Sequence, residues 1–286
     1  MEKRVVVITG ANSGFGLLAA LEFAAEGYEV IATMRDLKKG SLLMEKAKEK
    51  GIAAYITTFS TDITSSSDIE KLEDYIQKKG RIDVLLNNAG FAGAGFAEEV
   101  SIEEYKHQFE TNFFGTISIT QSMLPIMRRQ GFGKIIFISS ISGKVGFPGL
   151  SPYVSSKFAL EGFSESLRLE LQPFSIDVSV VEPGSYQTNI WSTGKKVAKR
   201  SQLESSPYYH YMESLEGYLQ KNQNNYGNPV EVAKKAVKIA NKKNPKFRYV
   251  MGRGVQQTIL IKQILPWKWW ERLVLHLVKM RDGKKN

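Results

Sequence analysis

The chain has 286 residues, 42% hydrophobic and 24% charged, which is the length and composition of a folded α/β domain with a full core. It contains no cysteine, which excludes disulfides, thiol nucleophiles and thiolate metal sites, and its three histidines have no ligand-like spacing. The net charge of +10 is uneven, because residues 195–286 hold 20 of the 39 Lys and Arg but 6 of the 29 Asp and Glu. This basic third is compatible with an anionic membrane surface, an acidic ligand or a solvated surface.

We expect no targeting or membrane-spanning segment. The apolar run near the N-terminus is too short for a signal peptide, and no stretch approaches the roughly 18 uncharged apolar residues of a membrane span. The expected location is therefore cytoplasmic, with membrane association left open by the basic C-terminal third. We expect neither a metal site nor a nucleic-acid partner.

Val- and Ile-rich runs alternate with longer segments of helical period along the chain. This alternation is typical of a doubly wound parallel sheet of about seven strands with helices on both faces. The predicted strands are 4–9, 28–33, 53–58, 83–86, 134–139, 177–181 and 247–251. The predicted helices are about 15–26, 38–50, 66–79, 101–129, 152–172 and 229–241.

The first predicted strand leads into T-G-A-N-S-G-F-G, in which Gly10, Gly14 and Gly16 stand at the turn into the first helix. Glycines at this spacing permit a tight turn, and they let the backbone approach a pyrophosphate at the helix N-terminus, where N–H groups point outward. A plain tight turn would carry the same glycines. Their place between a strand and a helix favours a dinucleotide site.

A second motif comprises Ser140, Tyr153 and Lys157, after the fifth predicted strand. On a helix over 152–172, Tyr153 and Lys157 lie one turn apart on one face, so the ammonium is expected to lower the pKa of the phenol from about 10 towards neutrality. The tyrosine can then exchange a proton with a substrate oxygen, which Ser140 can hold beside it. Taken singly, each residue could instead have a structural role.

With N-N-A-G at Asn87 to Gly90, these motifs resemble the short-chain dehydrogenase/reductase family over residues 3–190. The chain is similar to its single-domain members, and among them to the 17β-hydroxysteroid and retinol dehydrogenase branch. The resemblance implies a Rossmann-type dinucleotide-binding and catalytic domain over 1–254, assembled as a homodimer or homotetramer. The catalytic residues that it implies are Asn112, Ser140, Tyr153 and Lys157, with Asn112 bending its helix and supporting Lys157 in a proton relay. The expected cofactor-binding residues are Gly10, Asn12, Ser13, Gly14, Phe15, Gly16, Arg35, Asp62, Ile63, Asn88, Ala89, Gly90, Tyr153, Lys157, Pro183, Gly184 and Thr188.

The end of the second strand, I-A-T-M-R-D-L-K-K, bears on the choice between NAD and NADP. An acidic residue there would favour the ribose 2′-hydroxyl of NAD, whereas an arginine suits a 2′-phosphate. Thr33 stands where relatives that prefer NAD carry Asp, Arg35 follows closely, and Asp36 is expected to cap the next helix. We therefore expect NADP(H) rather than NAD(H).

The expected function is NADP(H)-dependent interconversion of an alcohol and a ketone or aldehyde, on a bulky hydrophobic substrate, by Ser-Tyr-Lys-Asn hydride and proton transfer. One alternative is a β-ketoacyl thioester reductase, which shares the catalytic residues and whose acidic carrier could meet the basic third. The other is a non-catalytic NADP-binding redox sensor, which would not need Tyr153.

Substrate contacts are expected from Ser140 and Tyr153 and from the aromatic residues Phe147, Tyr186 and Trp191, which neighbour the catalytic and Pro-Gly loops. Between about 185 and 228 the alternating pattern breaks down. A long irregular segment in a compact domain is usually functional. We expect it to form a lid over the substrate.

Residues 255–286 are expected to form a C-terminal amphipathic extension, interrupted by Pro266. After the proline, Trp267, Trp270 and aliphatic residues form one stripe, with basic residues beside it. This pattern favours a helix that covers the substrate mouth or a dimer partner. It also fits a helix in peripheral contact with a membrane.

Overall fold

The structure, a computed structural model, describes residues 3–188, 190, 194–222 and 226–278. Most of its strands form one parallel sheet. The strands described are β1 (Val5–Ile8), β2 (Glu29–Met34), β3 (Ile56–Ser60), β4 (Val84–Asn87), β5 (Ala92–Ala94), β6 (Gly133–Ile138), β7 (Ile176–Pro183), β8 (Lys195–Val197) and β9 (Arg248–Met251). The main sheet has the order β3-β2-β1-β4-β6-β7-β9, and β5 pairs with β8 in a small second sheet. The strand order reverses between β1 and β4, which opens a ligand crevice beyond their carboxyl ends.

Helices cover both faces of the main sheet. The helices described are α1 (Gly14–Ala25), α2 (Ser41–Glu49), α3 (Ser66–Lys79), α4 (Ile102–Phe109), α5 (Gly115–Gln130), α6 (Ser151–Leu171), α7 (Tyr209–Lys221), α8 (Val230–Asn241), α9 (Val255–Ile264) and α10 (Trp267–Leu277). Along β1, Val6 and Ile8 pack with α1, α2 and α8, whereas Val5 and Val7 pack with α3, α5 and α6. Burial on both faces explains why the strands read as continuous apolar runs.

The doubly wound sheet expected from the sequence is confirmed, with local differences. The strand expected at 53–58 begins at Ile56, because residues 53–55 form a 3₁₀ turn. The helix expected at 101–129 is divided into α4 and α5 by a π-helical turn, Glu110–Phe114.

The segment 185–228 was expected from the sequence to be irregular. Its described residues instead contain β8 and α7. The signal in the sequence is weak: β8 has three residues, and Met212 is the only buried residue of α7. A strand this short and a helix this exposed leave little apolar periodicity. Their role as a lid stays a prediction.

The C-terminal extension forms α9 and α10, separated at Leu265 and Pro266. Trp270 and Val278 are buried, so one side of α10 packs against the domain. No helix in the described ranges is both long and apolar enough to cross a membrane.

Candidate active site

The glycine-rich loop between β1 and α1 needs its glycines for conformation and for space. Gly10 and Gly14 have φ of +66° and +54°, in the left-handed region that other residues rarely adopt. A β-carbon at Gly16 would overlap the carbonyl oxygen of Gly10 and lie 2.5 Å from Asn88 Nδ2. The first turn of α1 has no acidic residue to repel a phosphate. The loop therefore offers a close backbone approach to an anion.

The N-N-A-G segment after β4 holds this loop in place. Asn88 Nδ2 donates to the carbonyl oxygens of Thr9 at 2.9 Å and Gly10 at 3.1 Å, while the backbone N–H groups of Asn88 and Ala89 donate to Thr9 Oγ1 at 2.9 and 3.0 Å. Asn87 points elsewhere, with its Nδ2 donating to Thr120 Oγ1 on α5 at 3.0 Å. Asn87 is thus a sheet-to-helix contact.

The end of β2 forms a basic corner of the cleft. Arg35 and Lys39 line it, opposite Asp62 and Ile63 of the loop after β3. Asp36 caps the following 3₁₀ turn, because its Oδ1 accepts from the Lys38 backbone N–H at 3.0 Å. The expectation that Asp36 acts as a cap is confirmed, so this carboxylate is engaged away from a ribose.

The four expected catalytic side chains lie together at the carboxyl ends of β4 and β6. Asn112, Ser140, Tyr153 and Lys157 all line the cleft, and all are buried. The phenol of Tyr153 hydrogen-bonds with Ser140, whose Oγ also accepts from the Ser142 N–H at 3.1 Å. This places a hydroxyl pair where a substrate oxygen can bind.

The ionisation of the site differs from the expectation. Burial raises the pKa of Tyr153 to about 12, opposed by its hydrogen bond with Ser140. Burial also lowers the pKa of Lys157 to about 8, opposed by the carboxylate of Glu161. The expectation that Lys157 brings the phenol pKa towards neutrality is therefore wrong for this structure, because desolvation dominates both groups. Lys157 Nζ instead donates to the Ile138 carbonyl oxygen at 2.8 Å.

Asn112 sits in the π-helical turn between α4 and α5, so the bend expected at this residue is present. Its Nδ2 donates to the Phe91 carbonyl oxygen at 3.0 Å, and its Oδ1 accepts from the Phe91 N–H at 3.1 Å. A π turn directs a side chain differently from a regular helix, and such turns are frequent at functional sites. Asn112 thereby joins the loop after β4 to the catalytic helix region.

The Pro183–Gly184 turn at the end of β7 closes the other side of the cleft. The Gly184 N–H donates to the Met251 carbonyl oxygen at 2.9 Å, and a β-carbon at Gly184 would overlap Val255 at the start of α9. Pro183, Gly184 and Thr188 all line the cleft.

Of the aromatic residues expected at the substrate, Tyr186 lines the cleft with Ser140 and Tyr153, whereas Phe147 does not. Tyr186 is buried and packs edge-on against Phe15, with ring centres 5.7 Å apart, so it supports the glycine loop. Phe147 lines a different cavity of about 470 Å³, between α10 and residues 146–155. Trp191 lies outside the described residues.

A cluster at the rim of the cleft was not found from the sequence. The pairing of β5 with β8 brings Lys196 Nζ within 2.7 Å of His107 Nε2 and 4.6 Å from the centre of the Phe91 ring. Burial, Lys196 and Arg35 lower the pKa of His107. Only the basic run around Lys196 hinted at this site.

The cleft has a volume of about 640 Å³ and fits an extended dinucleotide. Nearly all the expected cofactor residues line it. Those that do are Gly10, Asn12, Ser13, Gly14, Phe15, Arg35, Asp62, Ile63, Asn88, Ala89, Gly90, Tyr153, Lys157, Pro183, Gly184 and Thr188. Gly16 lies just behind, packed on Gly10. The glycine cradle and the absence of acids in the first turn of α1 suit the central pyrophosphate of such a cofactor, and the basic corner offers a second place for an anionic group.

Comparison with known proteins agrees with this geometry. The family model described as short chain dehydrogenase matches residues 4–198. The chain belongs to the short-chain dehydrogenase family. This short-chain dehydrogenase is an oxidoreductase by family, and it is 44% identical over 275 residues to the uncharacterized oxidoreductase YusZ of Bacillus subtilis (strain 168), covering 96% of this chain and 98% of that protein.

Two further relatives have named substrates. The short-chain dehydrogenase is 35% identical to 3-ketodihydrosphingosine reductase of Bacteroides thetaiotaomicron, covering 90% of each chain. It is 36% identical to retinol dehydrogenase 8 of Bos taurus, covering 92% of this chain and 86% of that protein. The resemblance to the retinol dehydrogenase branch is thereby confirmed.

Solved structures agree on the fold. A short-chain dehydrogenase from Streptomyces avermitilis has a TM-score of 0.80 at 29% identity and covers both chains completely. ElxO with NADP bound has a TM-score of 0.72 at 28% identity, covering 90% of this chain and 100% of that one.

Proposed function

We propose that this short-chain dehydrogenase is an NADP(H)-dependent oxidoreductase that interconverts an alcohol and a ketone or aldehyde on a bulky hydrophobic substrate. The observation that carries the proposal is the buried set of Ser140, Tyr153, Lys157 and Asn112 at one end of a dinucleotide-sized cleft. Burying polar side chains is costly for a fold, and these four converge on one cleft, which supports a chemical role.

Bound NADPH would supply the hydride to the carbonyl carbon of the substrate. The hydroxyl of Ser140 donates a hydrogen bond to the substrate oxygen and orients it. Tyr153 gives its phenolic proton to that oxygen as it gains negative charge. Lys157, while charged, stabilises the resulting phenolate, and Asn112 supports the return of a proton towards Lys157. In the oxidative direction the same groups act in reverse.

The raised pKa of Tyr153, about 12, supports the reductive direction. At neutral pH the buried phenol is protonated, and the protonated form is the one that a developing alkoxide needs. Oxidation requires the phenolate, which Lys157 and a positively charged nicotinamide would have to favour.

The choice of NADP(H) rests on the basic corner at the end of β2. Arg35 and Lys39 line the cleft there, and the neighbouring carboxylate of Asp36 is engaged in its cap. A guanidinium matches a phosphate in charge and geometry. The NADP found in the ElxO structure supports the same choice.

A bulky apolar substrate is supported by the cavity between α10 and residues 146–155. Phe147, Pro148, Trp267, Trp270 and Val274 line it, so it is largely apolar. It adjoins the segment that connects Ser140 with Tyr153. The names of the relatives point the same way, since a ketosphingoid base and a retinoid are both long and apolar.

The experiment is a panel of long-chain ketones, retinoids, steroids and acetoacetyl thioesters, followed by NADPH absorbance, with Tyr153→Phe as the matched variant. We expect turnover that Tyr153→Phe abolishes while NADPH binding persists. Best turnover of a thioester would replace the proposal with the β-ketoacyl reductase. Tight NADPH binding without Tyr153-dependent turnover of any compound would favour the redox sensor.

We also propose that the outer side of α10 contacts an anionic membrane surface. Trp269, Leu273 and Leu277 follow one another at intervals of four residues and are 61%, 39% and 50% exposed. Lys268 precedes this stripe and Arg272 interrupts it, with its guanidinium 5.7 Å from the centre of the Trp269 ring. Exposed tryptophan beside basic residues is typical of interfacial helices.

Co-sedimentation with phosphatidylglycerol vesicles tests the membrane proposal. Trp269→Ser with Leu273→Ser should reduce binding at least about fivefold, whereas Leu42→Ser, an exposed residue of α2, should not. Equal recovery with phosphatidylglycerol and phosphatidylcholine, or no loss in the double variant, would contradict it. Assembly as a homodimer or homotetramer remains a further proposal, supported by the exposed Phe114 and Phe158 near α5 and on α6.

A further inference from the structure

A buried cluster of charged side chains lies one helical turn beyond Lys157. Glu161 and Glu182 are 4% and 1% exposed. Lys144 Nζ lies 2.9 Å from Glu161 Oε2, and Arg248 Nε lies 3.2 Å from the same oxygen. Glu182 Oε1 is more distant from the same two cations, at 3.7 and 3.3 Å. None of the four residues lines the cofactor cleft.

Each member of this cluster belongs to a different segment behind the cleft. Lys144 follows the loop of Ser140, and Glu161 is on α6 four residues after Lys157. Glu182 immediately precedes the Pro183–Gly184 turn, and Arg248 is the first residue of β9. The cluster therefore joins the segments that carry Ser140, Lys157 and the Pro183–Gly184 turn.

The packing around Gly143 shows how closely these segments meet. A β-carbon there would lie 2.8 Å from Glu161 Cγ, 2.9 Å from Ser139 Oγ and 3.2 Å from the Lys157 carbonyl oxygen. Only glycine lets the serine loop rest directly on α6 at this point. Lys262 of α9 also donates to the Lys144 carbonyl oxygen, which fixes the loop from outside.

The cluster is costly for the fold. Glu161 Oε1 and Glu182 Oε1 are buried without a hydrogen-bond partner, although ion pairs surround them. Burial and the negative charge of Glu161 raise the pKa of Glu182 to about 7, against the opposing charges of Lys144 and Arg248. The ion pairs of Glu161 with Lys144 and Arg248 are shorter than those of Glu182. Apolar residues at these positions would often give equal or greater stability, so the charges need another explanation.

We propose that Glu161 is a positioning residue for the reaction proposed above: with Lys144, Glu182 and Arg248 it fixes the three catalytic segments relative to one another, and its carboxylate keeps the Lys157 ammonium charged. The second part follows from the i, i+4 spacing of Lys157 and Glu161 on α6. The Glu161 carboxylate opposes the lowering of the Lys157 pKa by burial, because an opposite charge favours the charged form of a buried amine. The inference rests on the proposed function, in which Lys157 acts only while it is charged.

The charged and polar neighbours define what the test must control. Those around Lys157 are Tyr153 and Glu161 from α6, and its ammonium also donates to the Ile138 carbonyl oxygen. Those around Glu161 are Lys144, Glu182 and Arg248, with Glu165 bound to Arg248 at 2.6 Å. Glu165 is on the same helix and shares the same arginine, but it is 61% exposed. Glu165→Gln is therefore the matched control for Glu161→Gln.

The first measurement is the pH profile of kcat/KM for carbonyl reduction. Its alkaline limb reports loss of the Lys157 proton, so Glu161→Gln should move that limb about one pH unit lower. Glu182→Gln should move it less, because the charge of Glu161, one helical turn away on α6, is the one that opposes the effect of burial on Lys157. Glu165→Gln should leave it in place. A limb in Glu161→Gln that coincides with that of Glu165→Gln would overturn the proposal.

A second measurement separates this inference from the proposed reaction. The affinity for NADPH, measured as a dissociation constant by nucleotide fluorescence, should fall with rising pH as Lys157 loses its charge. In Glu161→Gln this fall should occur about one pH unit lower. This readout needs no substrate, so it remains decisive if no compound is turned over. An unchanged binding profile in Glu161→Gln would sink the proposal even if the enzyme reaction were established.

Glu161→Asp guards against a variant that does not fold. It keeps the charge but shortens the reach towards Lys144 and Arg248. The alkaline limb should stay near that of the wild type, while kcat falls about tenfold because the segments are held less exactly in place. A wild-type kcat in Glu161→Asp would refute the positioning role, and a limb shifted as far as in Glu161→Gln would refute the electrostatic one.

Discussion

Replacing Arg35 by alanine should change the choice of cofactor more than the strength of cofactor binding in general. Arg35 and Lys39 line the cleft at the end of β2, and the nearest carboxylate in sequence, Asp36, is held by its cap on the Lys38 N–H. Arg35 is exposed, so its guanidinium can reach a 2′-phosphate without prior rearrangement of the core. NADH lacks the 2′-phosphate, so the Arg35 side chain contributes little to its binding.

The size of the effect follows from the kind of contact. A hydrogen bond to a charged group contributes about 1.5–3 kcal/mol, and solvent screening at an exposed site reduces this. We therefore expect Arg35→Ala to cost about 1–2 kcal/mol of NADPH binding, which is roughly a 5- to 30-fold rise in its dissociation constant. Lys39 remains to attract the phosphate, so the loss should be incomplete. The NADH constant should change less than about twofold.

Fluorescence titration of both nucleotides, at low and at high salt, measures these constants. Lys38→Ala is the matched control, because Lys38 is exposed in the same turn but does not line the cleft. The loss in Arg35→Ala should shrink at high salt, since screening weakens the phosphate contact. The reasoning fails if wild-type protein binds NADH more tightly than NADPH, or if Arg35→Ala weakens both nucleotides equally.

Three further outcomes follow from the structure. Gly16→Ala should weaken NADPH binding at least about tenfold in titration, because the added methyl group displaces the loop; unchanged affinity would contradict the cradle. Gln108→Ala should lower the free energy of unfolding by about 2–3 kcal/mol in urea, since the buried amide pairs two backbone groups of residues 91–93; a loss under about 0.5 kcal/mol would contradict this. Wild-type kcat/KM for reduction should fall above about pH 8, as Lys157 loses its proton while Tyr153, with a pKa of about 12, keeps its own; a profile flat to pH 10 would refute it.

Local motifs made much of the site predictable. The glycine loop, the Ser140 loop and the pair on α6 each depend on residues close together in sequence, and a parallel sheet brings the ends of its strands to one edge. Once the strands were assigned, the convergence of Ser140 and Tyr153 followed from topology. The cap at Asp36 was predictable for the same reason, because it involves a residue two positions away.

Contacts between distant segments were not predictable in this way. β5 and β8 have three residues each and are about a hundred residues apart, so their pairing leaves no periodic signal. That pairing is what places Lys196 beside His107 at the rim of the cleft. The pKa of Tyr153 was misjudged for a related reason: spacing reveals the nearby lysine, whereas burial, the larger influence, depends on the whole fold.

The aromatic residues near the catalytic motifs show how far closeness in sequence can mislead. Phe147 and Tyr186 each neighbour a catalytic loop, but the chain leaves the sheet edge in different directions after β6 and β7. Tyr186 turns back against Phe15 and the core, and Phe147 turns outward to α10. Tyr186 still lines the cleft that contains Ser140, whereas Phe147 lines only the second cavity.

The C-terminal extension braces the active site as well as shaping this outer cavity. Val255, the first residue of α9, occupies the space that a side chain at Gly184 would need, and Lys262 binds the carbonyl oxygen of Lys144. The extension thus contacts the Pro183–Gly184 turn and the serine loop, two of the segments that the Glu161 cluster joins from inside. Both contacts come from α9, so the active site is braced by the first helix of the extension, and α10 follows it after the short connection at Leu265 and Pro266.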